Sequence, residues 1–207
     1  MVLIVNTEKS QLKKAAETVK KGGLIIYPTD TVYGLGCDPY NVQAVKRVFR
    51  VKGRENKPLP LLVSSMRKAL SLAYFTTEAI KIVKRFWPGP LTVVLKRREE
   101  APKFLGGDPS LIGLRIPNHP VTLRLIRFCG GCIVGTSANL SGKKSPTTVG
   151  EAVKQLGDKV DLVVDGGKTM LGLGSIVLDL STEKPRILRE GPIKREEISK
   201  ILGKNVL

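Results

Sequence analysis

This 207-residue chain has little of what many catalytic sites are made from. It carries one histidine, His119, which excludes paired-histidine metal motifs. Next to Pro120, that residue is also a poor candidate for a nucleophile–base triad, and no G-x-S-x-G elbow is present. Three cysteines are too few and too odd in number for a disulfide framework. Cys129 and Cys132 match C-x-x-C, but no second such pair completes a zinc site with Cys37 and His119. Gly130-Gly131 have a simpler use, as a left-handed cap between a helix ending at Cys129 and a strand starting at Cys132. No apolar run approaches the ~20 residues that cross a bilayer. Met1 to Val5 has no basic segment before it and turns polar at once, which reads as a first strand and not a signal peptide, so a cytoplasmic location is expected. Internal repeats and low-complexity tracts are missing too.

Acidic residues are also scarce. Eighteen Asp and Glu face 35 Lys and Arg, a net charge of +17. Such a balance suits polyanionic partners such as nucleotides, RNA or acidic headgroups. The cations are spread along the chain, so any basic face has to be assembled by folding. With 42% apolar and 26% charged residues, the composition is that of a globular chain long enough for a real core.

Short apolar runs alternate with helical periodicity. Strands are expected at Leu24 to Tyr27, Leu59 to Val63 (an edge or a strand start, because of Pro60), Leu91 to Leu95 and Leu111 to Ile116. Further strands are expected at Cys132 to Gly135, Leu162 to Val164, Ser175 to Leu180 and Arg186 to Arg189. Helix caps are expected at Ser10, Asn41, Ser65, Thr77, Asn118 before Pro120, and Thr148 with Glu151. This pattern predicts one α/β domain over 1–207 whose strands feed polar loops at one edge, and the adjacent late strands argue against a purely parallel sheet.

Two phosphate signatures fail by one residue each. Gly167-Lys168-Thr169 could close a P-loop, but the required glycine is Leu162; Gly34 and Gly36 could open a dinucleotide fingerprint, but its last position is Pro39. What remains is a set of polar loops carrying Thr29, Thr31 and Tyr33; Lys52 and Arg54; Arg115; Thr136, Ser137 and Asn139; Ser145; Ser175; and Arg189. Cations and hydroxyls with no evident nucleophile or metal cage suit the binding and activation of anions, where positioning and charge neutralisation supply most of the catalysis.

The blocks PTDTVYGLG, KGR, WPGPLTVVL, LRIPNHP, GTSANLSG, KSPT, VDGG, GSIVLDLS and ILREGP follow one another along the chain. In these blocks and their order it resembles the YrdC/Sua5 family of L-threonylcarbamoyl-adenylate synthases over almost its whole length, in the single-domain form. The resemblance implies a YrdC-like α/β fold, a twisted open mixed sheet with flanking helices and a concave basic face. It also implies a reaction of L-threonine, bicarbonate or CO2, and ATP, normally with Mg²⁺, giving threonylcarbamoyl-AMP and pyrophosphate. The product would pass to a tRNA threonylcarbamoyl transferase machinery. Matching motifs put Lys52 and Arg54 in the catalytic role, and Lys52, Arg54, Asn56, Ser137, Asn139, Ser145 and Arg189 around ATP. Thr29, Thr31, Tyr33, Arg115, Thr136 and Ser175 would line the threonine pocket. No metal-ligating residue is assigned. Two positions depart from the family pattern: Leu62 stands where many members have histidine, and Ser175 lies between Gly174 and Ile176. The charge leaves a second reading open, a tRNA- or double-stranded-RNA-binding module without catalysis.

Overall fold

The structure, a computed structural model, describes residues 2–53 and 57–207. The strands sort into two mixed sheets, where a single open sheet was expected from the sequence. In chain order the first sheet takes β1 (Leu3–Val5), β2 (Ile25–Tyr27), β3 (Gly34–Gly36), β8 (Thr136–Ser137) and β9 (Leu162–Val164), arranged β1-β9-β2-β3-β8. The second takes β4 (Leu61–Val63), β5 (Leu91–Lys96), β6 (Leu111–Arg115), β7 (Cys132–Val134), β10 (Ile176–Asp179) and β11 (Arg186–Arg189), arranged β11-β10-β5-β6-β4-β7. Pro60 falls just before β4, which pairs on both sides with β6 and β7, so it marks a strand start and not an edge.

Seven helices flank the sheets among the described residues: α1 (Lys9–Lys20), α2 (Val42–Lys52), α3 (Met66–Leu72), α4 (Thr77–Phe86), α5 (Pro120–Phe128), α6 (Val149–Leu156) and α7 (Arg195–Leu202). Asn41, Ser65 and Thr148 cap α2, α3 and α6 as expected, each accepting the N–H three residues on. Three caps differ. Thr76, not Thr77, caps α4. His119, not Asn118, caps α5, because Pro120 takes the first helical position and leaves His119 Nδ1 to accept from the Thr122 N–H. Ser10 lies inside α1, because the helix starts two residues early, with Glu8 at the cap position and its own N–H taken by Asn6 Oδ1.

The buried strands divide their side chains between two cores. Leu24, Ile26, Leu61, Val63 and Val163 belong to one apolar cluster. Their neighbours Ile25, Tyr27, Leu62, Leu162 and Val164 join α1 and α5 in the other. A period of two between two apolar faces is why these strands read as unbroken apolar runs.

The sheets meet at β3. Gly34 and Gly36, which open no dinucleotide fingerprint, form an antiparallel strand with β2 and lie under the Tyr27 ring. A Cβ on Gly36 would come within 2.4 Å of the Val134 carbonyl oxygen and 2.7 Å of Tyr27 Cε1. That same carbonyl accepts the Tyr27 hydroxyl, and the Val134 N–H donates to the Cys37 carbonyl. The glycines are therefore needed for close approach, not for an unusual dihedral.

Gly36→Ala should lower unfolding free energy by about 1–3 kcal/mol, the usual cost of overpacking a core, in urea titration. Gly150→Ala, in α6 with no atom near its added methyl, should raise it by about 0.4–1 kcal/mol. Equal effects at the two sites would refute the packing account of Gly36.

Candidate active site

A cavity of about 580 Å³ lies over one face of the second sheet. Its floor is a row of register partners. Val177 sits opposite both Arg189 and Thr92. The β5–β6 register, extended one pair beyond Val93 and Leu114, sets Thr92 beside Arg115. Arg115 in turn pairs with Leu62. All five of Arg189, Val177, Thr92, Arg115 and Leu62 line the cavity. A strand period of two brings them to one face.

Arg115 is only 5% exposed, so its charge needs compensation. Its Nη2 pairs with Asp30 Oδ1, Nη1 donates to Thr31 Oγ1 and Nε donates to the Gly89 carbonyl. Asp30 and Thr31 come from the loop after β2, and that loop is shaped by Thr29. The Thr29 hydroxyl accepts the N–H groups of Thr31 and Val32 and donates to the Val32 carbonyl. From the other side, Thr122 of α5 donates its hydroxyl to the Pro28 carbonyl. PTDT is thus a turn built around its first hydroxyl and locked to an arginine from the other sheet.

Arg189 is held by one residue. Its Nε and Nη2 donate to the Ser175 carbonyl at 3.0 and 2.6 Å, and Nη2 also reaches Ser175 Oγ at 3.0 Å. The guanidinium lies over Gly174, where a Cβ would stand 3.4 Å from Cζ. Ser175 Oγ also shares a hydrogen with Thr92 Oγ1 at 2.8 Å. Partial desolvation, and after it the like charge of Arg115, hold Arg189 below the ordinary arginine range; burial does the same to Arg115. Asp30 compensates Arg115, whereas Arg189 has no carboxylate partner among the described residues, so the cation left facing the cavity makes an anion site.

Of the residues singled out from the sequence, Thr29, Thr31, Arg115, Thr136, Ser137, Ser145, Ser175 and Arg189 line this cavity. The hydroxyls of Ser137 and Ser145 make no hydrogen bond among the described residues. Three others are used beside it. Lys52, at the end of α2, is 2% exposed and donates its ammonium to the Ser137 and Asn139 carbonyls at 2.5 and 2.9 Å. Asn139 Nδ2 closes its own loop onto the Leu140 and Lys143 carbonyls, and its buried Oδ1 has no partner among the described residues. The Tyr33 hydroxyl donates to the Gly167 carbonyl and accepts from the Gly166 N–H, and burial pushes its pKa up to about 12, so it fastens a neighbouring loop. Arg54 and Asn56 lie outside the described residues.

Thr92, Lys57, Asp108 and Asp179 also line the cavity and were not singled out from the sequence. Thr92 had left a signal, a lone hydroxyl inside the apolar strand of WPGPLTVVL. The thiols of Cys37 and Cys132 are buried and that of Cys129 is partly so, and burial pushes Cys37 and Cys129 up to about 12 and Cys132 to about 11. Among the described residues no group of three or more His, Cys, Asp or Glu is placed to hold a metal ion, and no helix is long and apolar enough to cross a membrane.

Asp30→Asn should cost about 3–5 kcal/mol in guanidinium unfolding, because it leaves the Arg115 charge buried without its counter-ion. An effect below 1 kcal/mol would mean that the pair is not what holds the loop. A second expectation concerns pH. Burial lowers the His119 pKa from its ordinary 6.5, with Asp30 opposing. The unfolded chain then binds more protons, so stability falls as pH drops from near 6.5 through the folded value. His119→Asn keeps a capping acceptor that does not titrate, and should flatten the slope between pH 7 and 5.

A family model described as "Telomere recombination", for Sua5, YciO and YrdC proteins, matches residues 17–191. A threonylcarbamoyl-AMP synthase of Pyrococcus abyssi is 38% identical over 98% of this chain and 62% of its own, and one of Bacillus subtilis 36% identical over 96% and 58%. The chain thus spans about three-fifths of the length of these two relatives. A putative threonylcarbamoyl-AMP synthase of Methanocaldococcus jannaschii matches at 36% identity over 97% of both chains. Among solved structures, Pyrococcus abyssi Sua5 complexed with L-threonine superposes with a TM-score of 0.93 at 37% identity, covering 100% of this chain and 62% of that one. The Escherichia coli YciO structure gives 0.87 at 26% identity, covering 96% and 98%. Matched in sequence over nearly its whole length and in fold throughout, the chain belongs to the Sua5/YciO/YrdC family.

Proposed function

We propose that this protein is an L-threonylcarbamoyl-adenylate synthase, joining L-threonine, CO2 or bicarbonate and ATP, with release of pyrophosphate. The observation that carries the reading is a pair of arginines, buried Arg115 and the more exposed Arg189, set on one sheet row in a cavity whose hydroxyls at Ser137 and Ser145 have no hydrogen-bond partner among the described residues. The names of the full-length relatives and the threonine complex of the Pyrococcus abyssi protein support it.

The chemistry asks for these groups. The threonine amine adds to CO2 and loses a proton to become a carbamate. One carbamate oxygen attacks the α-phosphorus; the bond from α-phosphorus to the bridging oxygen breaks, and its electron pair leaves with pyrophosphate. Both reactants are anions, so the barrier falls chiefly through fixed positive charge that needs no reorganisation. In this reading Arg115, braced by Asp30 and Thr31, receives the amino-acid carboxylate beside Thr29 and Thr136. Arg189, Ser137 and Ser145 take the phosphates, with Arg54 and Asn56 contributing from the loop after Lys52. Lys52 and Asn139 hold the walls: the Lys52 ammonium joins the loop after α2 to the Ser137–Asn139 loop. Leu62, with Tyr27, gives the threonine end an apolar side where many relatives are expected to carry histidine.

Magnesium fits as a companion of the triphosphate. The cavity's carboxylates are Asp108 and Asp179, and each commits one oxygen, to Ser110 and to the Ser181 N–H. An ion that keeps water and phosphate ligands needs no more protein than this, and it would neutralise charge on the departing pyrophosphate. The net charge of +17 suits a protein that works beside tRNA in the cytoplasm and hands its product to a tRNA-modifying transferase.

The test is pyrophosphate release. It should require ATP, L-threonine and bicarbonate together, and Arg189→Gln should lower kcat/KM by roughly 10²–10³ while unfolding stays cooperative. Release that persists without threonine would overturn the reading, and RNA binding with no release at all would favour the non-catalytic alternative.

A further inference from the structure

Thr92 is the polar residue at the middle of the cavity floor, between Arg115 on one side and Val177 with Arg189 on the other. It is 3% exposed and it lines the cavity. Its methyl is turned toward β6, where a Cβ on Gly113 would stand 3.6 Å from it, and its hydroxyl toward β10 and Ser175. Nothing in the sequence motifs gives it a role.

The hydrogen-bond bookkeeping around that hydroxyl is informative. Arg189 Nη2 can only donate, so Ser175 Oγ accepts from it. A hydroxyl that accepts from a cation becomes a stronger donor, and hydrogen bonds in a chain reinforce one another when they run head to tail. The favoured direction is therefore Arg189 N–H to Ser175 Oγ, then Ser175 O–H to Thr92 Oγ1. In that order the Thr92 hydrogen is left over. Thr92 Oγ1 has no other partner among the described residues, and on its open side lies the space flanked by the two guanidiniums.

We infer that Thr92 is a direct ligand contact, donating its hydroxyl hydrogen to an anionic oxygen of the bound substrate held between Arg115 and Arg189. The contact rests on the proposed use of this cavity as the substrate site. The oxygen belongs to a carboxylate or to a phosphoryl group, which present the same acceptor to a hydroxyl, and titrations with different ligands separate the two.

Calorimetric titrations of the full chain with L-threonine, ATP and inorganic pyrophosphate test it. Thr92→Val keeps the shape and removes the donor; it should weaken one of these ligands about tenfold, the usual loss when a hydrogen bond to a charged acceptor is removed. A selective loss for threonine assigns the carboxylate, and one for ATP and pyrophosphate the phosphoryl group. Thr92→Ser restores the hydroxyl and should bind within about threefold of wild type. The decisive arm is the Ser175→Ala background. A contact made by Thr92 itself leaves a further loss when Thr92→Val is added to Ser175→Ala, whereas a residue acting only through Ser175 leaves none. No loss in Thr92→Val, no rescue by serine, or a loss that vanishes in the Ser175→Ala background would each overturn the inference. A wild type that binds these ligands without releasing pyrophosphate would sink the catalytic reading and leave the Thr92 contact standing. Binding of none of them overturns both.

Discussion

The cavity depends on one buried charge. Arg115 sits at the end of β6 in the second sheet, and its compensation comes from Asp30 and Thr31, carried by a loop of the first sheet. A guanidinium out of water without its carboxylate would cost several kcal/mol, so the two sheets are held in one relative position wherever the ion pair forms. The same loop is fixed from within by the Thr29 hydroxyl and from below by Thr122 of α5. The fixed geometry at the Arg115 end of the cavity therefore comes from β6, α5 and the loop's own Thr29 hydroxyl acting on four consecutive residues.

At the other end the constraint is reversed. Arg189 has neighbours that fix its orientation but, among the described residues, no carboxylate to neutralise it, and Arg115 raises the potential it experiences. An arginine that faces a concave site without a counter-ion stores an affinity for anions. The hydroxyls at Ser137 and Ser145 add directional donors, while Lys52 spends its ammonium on backbone carbonyls and so stiffens the wall it belongs to. Division of labour between cations that stay available and a cation that is consumed in structure fits a site whose ligands arrive charged.

Much of the local structure could be read from the chain. The caps at Asn41, Ser65 and Thr148 follow from short polar side chains ahead of apolar periodicity, and Gly130 and Gly131 have the positive φ that a helix-to-strand reversal needs. Errors came where two local rules competed. Gly34 and Gly36 carry the composition of a turn, yet the bulk of Tyr27 across the sheet requires their missing side chains inside a strand. His119 does the capping that Asn118 could have done, because proline one position later shifts the frame.

The division between chain and fold follows range. Hydrogen bonds between a side chain and the backbone three residues away, and the period of an apolar run, are local quantities, and one sequence suffices to read them. The order of motifs adds the family and with it the chemistry to expect. Which polar groups face one cavity is set by pairings between residues more than eighty positions apart, such as Arg115 with Asp30, Ser175 with Thr92, and Lys52 with Ser137. No periodicity encodes these. Only the register of β10, β5, β6 and β4 set Thr92 in the row of the arginines, and only burial distinguished an arginine that awaits an anion from a lysine already engaged.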